Sequence, residues 1–283
     1  MPATEAAGTS YAVTSLADAR SLLFVPGDRP DRFDKAAASG ADLVVLDLED
    51  GVAAEHKDAA RTAVSGWLRA GGPAAVRVNA LDSAERTADL RALGGLDSLV
   101  AVVVPMAEDP EALRVFADAL GAQVPLVAQV ETAVGVARAQ DLAGVDAVAR
   151  LAVGHLDLAA DLGCSPGRDG LLHARSIIVL ASRVARLPGP VESVTTALGD
   201  PEAALDDAAY ARDLGFTGKL AIHPSQVAAI HAAFVPDEDS IRWARRILAV
   251  ADGMGAVRLD GEMVDGPVIA RARAVLHRAR VGA

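Results

Sequence analysis

Short apolar runs alternate along the chain with stretches whose apolar positions recur every three or four residues. The runs cover 21–25, 43–48, 75–78, 99–104, 125–130, 149–153, 192–195 and 219–222, each four to six residues long and most ending at a charge, Pro or Gly. Continuous apolar runs, as opposed to alternating ones, are what parallel strands buried on both faces require. The intervening stretches 32–38, 57–68, 110–120, 133–142, 171–187, 201–214 and 224–233 read as helices. Pro110 and Pro201 stand at first helical turns behind Asp109 and Asp200 as caps. Eight strand–helix repeats predict an α/β chain folded as a TIM (β/α)8 barrel over 19–235. Residues 1–18 are small and polar and read as a flexible N-terminal extension. Residues 236–283 read as a helix (240–251), a Gly-rich loop (252–261) and a second helix (267–280). With no buried strand, that region is expected to be an appended C-terminal helical arm or lid, not a ninth repeat.

Length alone leaves room for either two domains or one barrel with a tail, since 283 residues compare with about 150 per domain. Hydrophobic residues at 52% exclude a mainly disordered chain. The net charge of −11 opposes nucleic acid and anionic membranes as main partners, while leaving room for a small anionic ligand held by a few arginines. No apolar run approaches a membrane span, and the first fifteen residues lack the pattern of a signal peptide. The one cysteine, Cys164, excludes an intramolecular disulfide and a cysteine zinc cage. A cytoplasmic protein is expected.

In a parallel barrel the reactive groups gather where strands end at their carboxyl side. After the successive runs come Pro26-Gly27-Asp28, Asp47-Leu48-Glu49-Asp50, Arg77 with Asn79, Pro105-Met106, Glu131-Thr132, Gly154-His155-Leu156-Asp157 and His223-Pro224. Carboxylates, Arg and His therefore collect at one end of an apolar barrel. Glu131 and Asp157 follow adjacent strands, about 4.8 Å apart, so they can share a cation. Oxygen ligands without cysteine favour Mg²⁺; the alternative is that each is a helix cap or a solvated acid. Arg77 offers a planar fork to a substrate carboxylate, or forms a structural ion pair with Asp47 or Glu49. Asp47, Glu49 and Asp50 form an acidic cluster suited to orienting Arg77 or metal-bound water. His155 and His223 read equally as hydrogen-bonding residues of the scaffold, and Cys164 as a packing residue. No Gly-x-Gly-x-x-Gly follows a strand, so a dinucleotide site is unsupported.

The same residues carry a resemblance. Arg20-Ser21-Leu22-Leu23-Phe24-Val25-Pro26-Gly27, Leu46-Asp47-Leu48-Glu49-Asp50-Gly51-Val52, Val76-Arg77-Val78-Asn79, Val130-Glu131-Thr132, Asp157-Leu158 with Asp161-Leu162-Gly163, Ile222-His223-Pro224 and Gly261-Glu262-Met263-Val264-Asp265-Gly266-Pro267 occur in that order. Together they resemble the citrate lyase β-subunit-like branch of the HpcH/HpaI aldolase family, across about residues 19 to 278. The resemblance implies a Mg²⁺-dependent carbon–carbon lyase acting on a 3-hydroxyacyl-CoA of malyl-CoA or citramalyl-CoA type, giving acetyl-CoA or another acyl-CoA and a 2-keto acid. It implies Glu131 and Asp157 as metal ligands, with Arg77 on the keto-acid portion. Phe24, Lys35, Ile222 and His223 would line the CoA thioester site. Asp265 would be the catalytic aspartate, carried on an arm that closes over a barrel mouth, often a neighbour's, in a homotrimer. The neighbouring outcomes on this scaffold are a malyl-CoA-type thioesterase, a malate synthase-like enzyme, a citrate lyase β subunit working on an acyl-carrier protein, or a non-catalytic acyl-CoA-binding barrel. The chain departs from the common pattern at Met106, Val134 and Leu156, where charged residues are usual. Those departures leave the metal ligands in place and remove charged neighbours from around them.

Overall fold

The computed structural model describes residues 15–121, 123–250, 257–259 and 262–281. In chain order the elements are β1 (Ser21–Pro26), α1 (Phe33–Ala37), β2 (Leu43–Asp47), α2 (Lys57–Arg69), β3 (Ala74–Arg77), α3 (Arg86–Leu93), β4 (Leu99–Val104), α4 (Pro110–Leu120), β5 (Leu126–Val130), α5 (Ala133–Ala137), α6 (Ala139–Ala143), β6 (Val148–Val153), α7 (His155–Leu162), α8 (Arg168–Val184), β7 (Val191–Glu192), α9 (Pro201–Leu214), β8 (Gly218–Ala221) and α10 (Val227–Phe234). After them come α11 (Glu238–Val250), β9 (Val257–Leu259), β10 (Glu262–Val264) and α12 (Gly266–Val281). The strands β1 to β8 form a closed barrel in sequence order, every pair parallel, with β8 returning to β1. This is the expected TIM barrel.

The barrel wall separates two cores. Leu22, Val45, Ala75, Val103, Val127, Ala152, Val191 and Leu220 fill the interior. Their strand neighbours, such as Leu23, Leu46, Val76, Val102, Ala128 and Leu151, pack outward under the helices. Arg150 closes the floor at the amino ends of the strands. It is fully buried and donates to the carbonyls of Leu16, Ala19 and Gly189 and to the Thr217 hydroxyl. Burial holds its pKa down at about 10. Leu16 is buried in the interior core, so the loose extension expected over 1–18 does not reach residue 18; residues 1–14 lie outside the described residues.

Four local differences from expectation have physical causes. The helix expected over 133–142 breaks at Arg138, which leaves the helical region (φ −105°, ψ 11°). Strand β7 is only two residues, because Ser193 and Thr195 turn their carbonyls to Lys219 and Gln226 and not to a ladder. Helix α3 has little amphipathic pattern and is held by buried Asp89, which accepts from Arg61 and from Asn79. In the arm, β9 and β10 pair as an antiparallel hairpin where a Gly-rich loop was expected; residues 251–256, 260 and 261 of that stretch lie outside the described residues. Helices α11 and α12 bury Ala244, Ile247, Ala272 and Val275 against one another with Val264, forming a core of their own. Among the described residues no helix is long and apolar enough to cross a membrane.

Candidate active site

The interior alternation, continued past the last apolar layer, places Phe24, Asp47, Arg77, Gln129 and Glu131 at the carboxyl mouth of the barrel. Asp47 and Arg77 are register partners on β2 and β3. The Arg77 guanidinium gives Nε and Nη2 to the two Asp47 oxygens, both at 2.7 Å, and lies 4.8 Å from the centre of the Phe24 ring. Its Nη1 is 2.8 Å from Glu49 Oε2. Of the two uses open to Arg77, the structure therefore shows the ion pair with Asp47 and Glu49; one N–H on each terminal nitrogen remains for a ligand. Asp47 is saturated, since it also accepts from the backbone N–H of Glu49 and Gly51. Asp50 is exposed at the rim.

Glu131 follows β5 and is 2% exposed. Its Oε1 accepts from Met106 N–H at 2.6 Å and its Oε2 from Gln129 Nε2 at 2.5 Å. Gly154, beside it after β6, makes the space: a Cβ there would stand 2.1 Å from Glu131 Oε2. Met106 reaches Glu131 from a left-handed conformation (φ 48°) uncommon for a residue with a side chain. Glu131 does not cap a helix; Thr132 does, accepting from Gly135 N–H. Asp157 lies in the first turn of α7, not in a loop, and is exposed.

Burial pushes the Glu131 carboxyl up to about 7; the Met106 and Gln129 donors oppose the rise and Asp157 adds to it. Burial likewise pushes Glu49 up to about 8, with Arg77 opposing and Asp50, Glu131 and Asp47 adding. Glu49 Oε2 is buried, and its contact with Arg77 Nη1 is an ion pair without the alignment of a hydrogen bond. Five carboxylates thus share a mouth with one guanidinium, and the donor set is all oxygen. Among the described residues no three His, Cys, Asp or Glu side chains form a closed metal cage. A buried and an exposed carboxylate, with no soft donor between them, suit a hard divalent ion that keeps waters or substrate oxygens, as Mg²⁺ does, so the residues fit that ion.

The other expected residues fall in two groups. Lys35 is exposed on α1, and Ile222 and His223 stand at the end of β8, next to β1. His223 caps the turn that follows it, accepting Ser225 N–H at 3.2 Å. Asp265 joins none of them within the chain. It caps α12 through Val268 N–H at 3.3 Å. The far part of α12 lies at the opposite end of the barrel: Ala274, His277 and Arg278 share a cleft with Asp18, Arg20, Gly189 and Thr217, which precede β1, β7 and β8. The arm therefore docks beside the floor of its own barrel, not over its own mouth.

Three contributors were not anticipated: Gln129, Gly154 and Lys57. Gln129 shares the inward face with Glu131 two residues on, and that spacing could have revealed it. Lys57, one of only three lysines, ties the loop after β2 to β3 through the Leu48 and Glu49 carbonyls and Asn79 Oδ1.

Comparison with known proteins adds to this geometry. The model of the HpcH/HpaI aldolase/citrate lyase family matches residues 20–224. A second model, a C–C bond lyase of the TIM-barrel fold, matches residues 193–282. A citrate lyase subunit beta-like protein of Deinococcus radiodurans is 40% identical over 275 residues, covering 91% of this chain and 96% of the relative. A (3S)-malyl-CoA thioesterase of Cereibacter sphaeroides is 33% identical over 273 residues, covering 92% and 94%. Among solved structures, the CitE protein of Mycobacterium tuberculosis in complex with magnesium, acetoacetate and coenzyme A superimposes with a TM-score of 0.81 at 36% identity, covering 94% of this chain and all of that one.

Proposed function

The chain belongs to the HpcH/HpaI aldolase/citrate lyase family, and from that premise we propose that it is a Mg²⁺-dependent carbon–carbon lyase that cleaves or forms a 3-hydroxyacyl-CoA of malyl-CoA or citramalyl-CoA type. The observation that carries this proposal is Glu131, buried at the mouth near the Arg77–Asp47 ion pair and within electrostatic reach of Asp157. Glu131 and Asp157 would hold the ion; bound there, Mg²⁺ supplies Lewis-acid polarisation to the substrate's oxygens. Asp47 and Glu49 hold the Arg77 fork in place, so its remaining N–H groups meet the carboxylate of the keto-acid portion without reorganisation. Phe24 and Ile222 offer the thioester an apolar wall, and Lys35 and His223 at the rim are suited to the coenzyme. In cleavage the hydroxyl proton passes to solvent, the electron pair of the carbon–carbon bond goes to the thioester side, and the acyl-CoA enolate takes a proton at its α-carbon. Asp265 is the group we assign to deliver that proton, regaining it from solvent afterwards. Since the arm of one chain lies at the floor of its own barrel, the mouth that Asp265 would serve is a neighbouring chain's, which supports exchange of arms between chains; that the assembly is a homotrimer is what the resemblance implies.

The deciding experiment is a mass-spectrometric product assay over a panel of 3-hydroxyacyl-CoA compounds, with and without Mg²⁺. Release of a 2-keto acid and a shorter acyl-CoA, abolished by chelation and by Glu131→Ala, is the expected result. Release of free CoA and the intact hydroxy acid would instead make the protein a thioesterase, the activity of the Cereibacter relative. No turnover of any compound, with acyl-CoA still bound, would leave a binding barrel.

A further inference from the structure

Outside the barrel wall, between the outward faces of β7 and β8 and the helices α8 and α9, lies a second cavity of about 270 Å³. It uses none of Phe24, Arg77, Glu131 or Asp265. Two carboxylates line it, and both are engaged. Glu192 takes Nε and Nη2 of Arg175 at 2.9 and 3.0 Å. Asp207 takes the Thr195 hydroxyl at 2.7 Å and Arg168 Nη2 at 3.3 Å.

The donors are not used up in the same way. Arg175 is 5% exposed, its guanidinium carbon is 6.0 Å from the centre of the Tyr210 ring, and its Nη1 is buried without a hydrogen-bond partner. Because the Nε–Nη2 edge faces Glu192, Nη1 points away from that pair. Lys219 is 1% exposed and gives one hydrogen bond, to the Ser193 carbonyl at 2.5 Å, out of the three an ammonium can give. At the outer end, Gly167 and Arg168 bring in the start of α8, a 17-residue helix without a side-chain cap. Its free N–H groups and dipole favour negative charge there.

We propose that this cavity binds a small oxyanion, a carboxylate or a phosphate, held by Arg175 Nη1 and Lys219 Nζ with the start of α8 at its entrance. The acceptor oxygens of such an anion complete the two buried cations, which the protein's own carboxylates leave unfinished. The site also stands close to the reaction centre. Ser193, whose carbonyl takes Lys219, receives His155 N–H on its hydroxyl at 3.1 Å, two residues before Asp157.

Calorimetric titration of the wild-type protein with inorganic phosphate and, separately, with acetate, at an ionic strength held constant with chloride, tests the site and distinguishes the two sources. Saturable binding of one of them is expected, weakened about tenfold or more in Lys219→Met and in Arg175→Lys, each of which withdraws one charge-assisted donor. Crystals soaked in selenate should show an anomalous peak beside Arg175 Nη1. If either variant fails to fold, by circular dichroism, the wild-type peak decides. Absence of binding by both anions, a cavity holding water alone, or unchanged affinity in folded variants overturns the proposal.

Discussion

Gly154 stands where the Glu131 carboxylate needs room, and its backbone (φ −106°) is one that any residue can adopt. Gly154→Ala is therefore a steric test without backbone strain: Mg²⁺ affinity by calorimetry should fall sharply while the protein stays folded. Protonation bears on the same carboxyl. Glu131 at about 7 and Glu49 at about 8 lie above their ordinary 4.5. In the metal-free protein their contribution to stability is full below 4.5 and is lost as pH rises through 7 and 8. A cation needs the charged forms, so the rise in Tm on adding Mg²⁺ should be larger at about pH 8.5 than at about pH 6; an equal rise at both would contradict the assignment. Arg77→Lys keeps the charge but cannot reproduce the two-point contact with Asp47. It should lower stability by about 1–2 kcal/mol and weaken keto-acid binding, measured by chemical denaturation and by calorimetry. Arg77 illustrates what was legible at this scale: its type and place on a strand end were plain, but which carboxylate its fork would take was not, because Asp47 lies thirty residues away and meets it only through the β2–β3 register.

Elements differ in how far their own residues define them. Helix α9 carries its signal locally: Asp200 accepts from the N–H of Glu202 and Ala203, and Pro201 follows. Asp200→Ala should cost about 1 kcal/mol in a denaturation curve. The floor of the barrel is the contrary case. Arg150 sits inside a strand that reads as apolar, and its partners Leu16, Ala19, Gly189 and Thr217 come from three other segments. Arg150→Met would take the Arg150 donors from the buried Leu16 and Ala19 carbonyls, while Gly189 keeps the Thr217 hydroxyl, with an expected loss of about 3 kcal/mol. Helix α7 was missed for a related reason. Its first turn, with His155 and Asp157, looks like a polar loop until Ser193, just after β7, is seen to take His155 N–H.

Over the whole molecule, the proposed exchange of arms would decide how many chains make one active site. Its apolar faces cover each other, so burial of those faces is no reason for an oligomer; the position of Asp265 is. Asn caps a helix as well as Asp, so Asp265→Asn should melt near wild type while losing about 10²–10⁴ in rate. Mixing Asp265→Asn with Glu131→Ala should restore activity, since some mixed assemblies hold an intact mouth facing an intact arm. Proven subunit mixing without recovery would exclude exchange of the arm between chains.

The spacing of apolar runs determined the barrel by itself, because eight strands buried on both faces leave a mark that needs no partner to be read. It also determined that carboxylates, Arg77 and His223 collect at one end, since strand direction orders the loops. Only the tertiary structure decided that Arg77 is held by Asp47, that Met106 grips Glu131, that Arg150 plugs the floor, and that the arm carrying Asp265 packs beside the floor of its own barrel. Each of these depends on residues far apart in the chain, brought together by barrel closure and by the packing of the arm, and a distance in space leaves no periodic mark along a sequence.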